Sequence, residues 1–368
     1  MSDSIPPSVH PPSDEFQGNR QAWNQLTQSL ADSWPPGRWA NVGVVIGCSG
    51  GADSVALVRL LHAIAQSQPS VGSQMAADTQ NKLLAIAHFD HGLRGNESDD
   101  EREFVIQLAN DLRLPHYVGT GDASRSDEAS LRAQRHAFLI RTAAQTGCRY
   151  IALAHSLDDN VETVLHHLMR GTGPAGLAGI APTRAAGADA AERDFVIKRP
   201  LLAVRRELIR DGLREIGQTW REDSSNTNTD YQRNWIRGEL LPLMQSRYPE
   251  VVPAIGRAIE SQREWKAVIE TAANQWIDQN VFANPLTIRR HSDHDPSITI
   301  AALQSLWQAN GWSRTAMTQR HWQQLVSTLQ GNETERYTLP GEIDVVANTD
   351  DVTISRATAV RRIQAAER

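Results

Sequence analysis

Val42-Gly43-Val44-Val45-Ile46-Gly47-Cys48-Ser49-Gly50-Gly51-Ala52-Asp53-Ser54 joins a short apolar run to paired glycines, an acid and a serine. Residues 42–46 predict a buried strand, and 52–66, with Val55, Leu57, Val58, Leu61 and Ile64 apolar, predict a helix. Between them, two glycines let backbone N–H groups approach an anion without Cβ obstruction. The helix N-terminus adds unpaired donors and partial positive charge, so the turn suits a phosphate. Ser49 and Ser54 offer hydroxyl donors, while Asp53 fits either Mg²⁺ or the favourable first turn of a helix. Neither a Walker A lysine nor a G-x-G-x-x-G pattern is present. A plain strand–helix turn is the competing reading of this segment.

Outward from this turn the same alternation repeats. Strands are predicted at 83–88, 116–119 and 150–154, with helices at 98–112, 128–146 and 158–169. Strands alternating with amphipathic helices imply a doubly wound parallel sheet, an α/β fold whose sites lie at the C-terminal ends of its strands. A strand at 195–198 and a helix at 205–216 follow, with 185–191 read as a flexible loop. Residues 1–37, rich in proline and serine, read as a flexible N-terminal arm. Pro249 and Pro253 suggest a boundary, giving a domain at 38–248 and a smaller, mainly helical one at 249–368. Residues 294–356 look α+β. The tryptophans at 265, 276, 307, 312 and 322 read as core.

The 368 residues contain no apolar run long enough to span a bilayer and no secretory h-region. Cys48 and Cys148 are the only cysteines, which excludes a Cys-rich metal site and fits a reducing cytoplasm. Net charge is −6, yet only three of 37 bases are lysines. Residues 193–247 invert that balance with eleven bases against eight acids, compatible with a phosphate-tracking face or merely a solvated one.

The glycine turn resembles the pyrophosphate loop of ATP pyrophosphatases. Further motifs follow in order: His88-Phe89-Asp90-His91-Gly92-Leu93-Arg94-Gly95, then Ala154-His155-Ser156-Leu157-Asp158-Asp159-Asn160-Val161-Glu162-Thr163, then Arg199-Pro200-Leu201-Leu202. Glu222-Asp223-Ser224-Ser225-Asn226 and Arg233-Asn234-Trp235-Ile236-Arg237 complete the set. Over about 40–245 the series resembles the tRNA(Ile)-lysidine synthetases, a PP-loop ATPase family. That resemblance implies a carbon–nitrogen ligase using ATP and Mg²⁺. It would adenylate the wobble cytidine of an isoleucine tRNA with a CAU anticodon, release pyrophosphate, and let free lysine displace AMP to give lysidine. A cytoplasmic, membrane-free enzyme is implied, and a homodimer is compatible with it. Residues 249–368 would correspond to the tRNA-recognition appendage.

Residue by residue, Ser49, Gly50, Gly51, Ala52, Asp53, Ser54, His88 and Arg94 are expected at ATP, with Asp53 also at the metal. Asp158, Asp159 and Glu162 supply carboxylates for an incoming ammonium or for Mg²⁺, although acids also suit a helix first turn. His155 could act as base or orienting donor beside Asp53 and Asp159. Arg205, Arg233 and Arg237 are expected at the tRNA. Glu128, Arg132 and Arg135 match another family stretch, where His136 stands in place of the usual Tyr; a solvated helix face is the plain alternative. Other readings keep the nucleotide chemistry with another acceptor (tRNA thiolation or amide formation), or reduce the loop to a nucleotide sensor.

Overall fold

The computed structural model describes residues 20–67, 83–90, 96–122, 127–187, 190–222, 232–283, 285–331 and 333–356. Its contacts divide into two units, Met1–Ile259 and Glu260–Arg368.

In the first unit β1 (Val44–Gly47) sits at the centre of a six-stranded sheet. It pairs in parallel with β2 (Leu84–Asp90) on one side and β4 (Tyr150–Ala152) on the other. β3 (His116–Thr120) lies outside β2 and β6 (Val196–Lys198) outside β4, both parallel, while β5 (Thr183–Ala185) closes the far edge antiparallel. The order 3-2-1-4-6-5 reverses direction between β1 and β4, the switch point where doubly wound sheets bind ligands.

Alternate residues of the buried strands feed two cores. Val44, Ile46, Leu84 and Ile86 pack with Val55, Leu57, Val58 and Leu61 of α2 (Ala52–Ser67). Val105 and Leu108 of α3 (Asn96–Asp111) extend this layer. Val45, Ala87, Ile151 and Ile197 pack on the opposite face against Phe138, Leu139 and Ala143 of α4 (Glu128–Thr146). A third cluster joins Val161 and Val164 of α5 (Leu157–Met169) to Ile236, Leu241 and Val252.

Three expectations need correction. Residues 21–33 are not part of a flexible arm: α1 (Gln21–Ser33) places Leu26, Leu30 and the following Trp34 in the first core. Glu215, at the end of α6 (Arg206–Glu215), accepts the N–H groups of Ala22 and Trp23 at 3.2 and 2.9 Å and so caps α1. Residues 185–191 are not simply a surface loop, because Ala185 ends β5 and Ala186 is buried in the α4-side core. Trp265 is not core; it is 65% exposed.

The second unit builds its own core. Trp276 of α7 (Val251–Asn280), a helix that begins in the first unit, joins Leu303 and Trp307 of α8 (Pro296–Ala309) and Trp322 and Leu325 of α9 (Gln319–Gln330). They pack on an antiparallel sheet ordered β7 (Val281–Ala283), β8 (Leu286–Arg289), β11 (Asp351–Arg356), β10 (Ile343–Ala347) and β9 (Glu335–Leu339).

Candidate active site

β1 ends in the glycine turn, and Gly50 has φ +91, a left-handed value that a Cβ would strain. Ser54 ties the turn together: its Oγ donates to the Gly51 carbonyl at 2.9 Å and accepts the Ser49 N–H at 3.2 Å. From across the sheet end, the Arg221 N–H donates to the Gly50 carbonyl at 3.0 Å. His88 stands beneath the turn, buried, with Nδ1 2.9 Å from the Cys48 carbonyl. It therefore braces the loop from below. Arg94 and His91 lie outside the described residues, as do Asp223–Asn226.

β4 leads into α5 through a capping box: the Ser156 Oγ accepts the Asp159 N–H, and the Asp159 carboxylate accepts the Ser156 N–H at 2.9 Å. Its neighbour Asp158 caps a different helix, accepting the Arg206 N–H at the start of α6 at 2.8 Å. The N-termini of α2, α5 and α6 thus converge at the switch point, each with its positive dipole end inward.

Arg206 is the hub of this convergence. Its guanidinium lies 2.6 Å from Asp159, 3.3 Å from Asp53 and 3.4 Å from Glu162. Arg237 adds a two-pronged contact to Glu162 at 2.7 and 2.8 Å and reaches Asp159 at 3.2 Å. Arg205 stands 3.5 Å from Asp158. Arg237 is carried on a π-helical turn, Ile236–Leu240. Arg233 reaches the Thr163 hydroxyl at 3.4 Å. Sequence reasoning joined the acids Asp158, Asp159 and Glu162, and the structure brings Asp53 to them. It did not single out Arg206, which looked like one base among eleven. Arg205 and Arg237, expected at RNA, direct their guanidiniums toward carboxylates.

The electrostatics follow from this geometry. Burial pushes the Asp53 carboxyl up to about 6, with Arg206 opposing and the charges of Asp159 and Asp158 assisting. Burial acts upward on Asp159 too, but Arg206, the Ser156 N–H, His155 and Arg237 together hold it below the ordinary range. Burial, then Arg199, lowers His155 to about 4, so its ring is neutral near pH 7. Its buried Nδ1 and the Asp53 Oδ1 have no hydrogen-bond partner.

The chain is similar to known proteins. A family profile described as a PP-loop domain matches residues 20–244. The chain is 42% identical over 342 residues to a tRNA(Ile)-lysidine synthase of Rhodopirellula baltica, covering 83% of this chain and 85% of the relative. It is 37% identical over 237 residues to a tRNA(Ile)-lysidine synthase of Thermus thermophilus, spanning 62% of this chain but 41% of that relative. Among solved structures, the U34-tRNA thiolase NcsA from Methanococcus maripaludis, with its [4Fe-4S] cluster, superposes with a TM-score of 0.52 at 15% identity. That match covers 66% of this chain and 80% of the thiolase and supports the fold.

Proposed function

Because the chain belongs to the tRNA(Ile)-lysidine synthase family of PP-loop proteins, we propose that it joins free lysine to C2 of the wobble cytidine of an isoleucine tRNA at the expense of ATP. The observation that carries this reading is the Arg206 hub, which ties the phosphate-loop acid Asp53 to Asp159 and Glu162 on α5. One site then serves a polyphosphate and a cationic amine.

In the first step the cytosine O2 attacks the α-phosphorus of ATP, and pyrophosphate leaves into the 49–54 turn. In the second, the lysine ε-amine attacks C2 and AMP departs with that oxygen. The ammonium must lose a proton before it attacks. Four carboxylates (Asp53, Asp158, Asp159, Glu162) face three guanidiniums (Arg205, Arg206, Arg237), leaving one negative charge for one ammonium. Asp159, held ionised, attracts the amine, and the neutral His155, whose buried Nδ1 has no partner, accepts its proton.

The unpartnered Asp53 Oδ1 fits Mg²⁺, which is often held by one carboxylate plus substrate phosphates. When bound, the ion neutralises charge on the phosphate oxygens. Both cysteines are buried, which disfavours sulfur transfer as the second step.

The test offers the chain ATP, Mg²⁺, labelled lysine and isoleucine tRNA with a CAU anticodon. Lysine should enter the RNA with one AMP and one pyrophosphate released per event. ATP consumption that labels RNA only from a sulfur or ammonia donor would replace this reading with another acceptor chemistry.

A further inference from the structure

On the face of the sheet away from α2, basic groups converge. Arg132, Arg135 and His136 precede Leu139 by seven, four and three residues, so they share the α4 face that Leu139 buries on the sheet. On β5, Arg184 is the register partner of Ile197, which belongs to the same core. Arg199 follows Ile197 by two, and its N–H continues the ladder to the Pro182 carbonyl at 3.0 Å. Helix face and strand face therefore aim these side chains at one place. Arg184 Nη2 lies 3.0 Å from His136 Nε2, joining β5 to α4 directly.

Arg199 is 4% exposed, and its Nε is buried with no hydrogen-bond partner. Arg132, Arg135 and Arg184 stay exposed and form an open rim above it. Among the described residues none of the four arginines has a carboxylate within salt-bridge distance, whereas the Arg206 hub has three. Burial, then the charges of Arg184 and Arg132, bring the Arg199 guanidinium down to about 10. His155, which feels both Arg199 and Asp159, links this cluster to the reacting groups. Guanidiniums gathered at one spot repel each other and invite an anion.

We propose that Arg132, Arg135, Arg184 and Arg199 form a binding site for a backbone phosphodiester of the RNA acceptor. The inference rests on the reading that the acceptor is RNA. A nucleotide already has its phosphate cradle in the 49–54 turn, and an exposed rim over a buried arginine suits a chain that lies across the surface. Arg fits here because its planar fork meets two phosphate oxygens at once.

The experiment compares the full chain with a double variant, Arg132→Gln with Arg184→Gln, and with Arg132→Lys plus Arg184→Lys. Binding of the isoleucine tRNA is measured across a salt series, and ATP binding is measured without RNA. The Gln pair should weaken tRNA binding at least about tenfold and reduce the slope of log K against log salt by about 1 to 2. The Lys pair should recover most of the slope, and ATP affinity should hold. An unchanged slope with tightly bound wild type overturns the site alone. So does a loss of ATP affinity with the slope intact, which would make it a nucleotide site. Wild type that binds no tRNA overturns the RNA reading itself.

Discussion

Asp53 gives one oxygen to Arg206 and leaves the other without a partner, an expensive arrangement for a group with 20% of its side chain exposed. Its folded pKa of about 6 lies above its ordinary 3.8, so the fold favours the protonated form. The stability tied to that proton is complete below about pH 4 and is lost as pH rises through 6. Asp53→Asn should therefore raise thermal stability at pH 8 by an equivalent of about 1–2 kcal/mol, have little effect at pH 4, and abolish lysine transfer. A melting curve at both pH values checks the sign. Glu162 tests the neighbouring claim, because its carboxylate is saturated by Arg237 and Arg206. Glu162→Gln should raise the lysine KM by about 10-fold or more, because it removes the one uncompensated negative charge that attracts the ammonium, while the ATP KM changes much less. Equal changes in steady-state kinetics would contradict that division. The acids were legible in the sequence because they sit at strand ends and helix starts. Arg206 was not, since only the folded chain shows which of many arginines points inward.

Among the elements, α1 shows what composition conceals. The prolines and polar residues of 1–37 suggested an arm, yet Ala22, Leu26, Leu30 and Trp34 recur every four residues and bury one helix face. That period was readable; averaging over the proline-rich flank hid it. β5 went unread for another reason: its three residues are all exposed and form no apolar run, unlike the equally short β4 and β6, which the buried Ile151 and Ile197 mark. The core strands and helices of the sheet domain were legible because short apolar runs alternate with helical periods. α1 matters to the site because it packs on α6, the helix that begins with Arg206. At Gly212 of α6 an added Cβ would run into Leu26 Cδ1 and lie 3.5 Å from the Trp23 Cα. Gly212→Val should destabilise the first unit by about 1–3 kcal/mol through overpacking, read as a lower denaturant midpoint. Because the displaced helix carries Arg206, lysine transfer should fall in the fraction that remains folded.

At the scale of the molecule, two separately cored units answer to pH in opposite ways. In the first, the Asp53 carboxyl loses stability for the fold as pH rises. In the second, the Trp276 indole N–H donates to His294 Nδ1 at 3.0 Å, which leaves Nε2 to donate to the Arg289 carbonyl at 3.1 Å. The ring must be neutral for both bonds to stand, and burial lowers its pKa, with the Arg289 carbonyl and Asp293 opposing and His291 assisting. A base whose folded pKa is depressed contributes stability that is complete above about pH 6.5 and falls as pH drops below it. Hydrogen exchange should therefore show amides of β8 and of α7 around Trp276 opening more often at pH 5.5 than at pH 7.5, after correction for intrinsic rates. His294→Leu should remove that pH dependence and cost about 1–3 kcal/mol at pH 7.5 by leaving the indole N–H unpaired. If the variant kept the acid-side opening of wild type, the proton would have to be going elsewhere in this core.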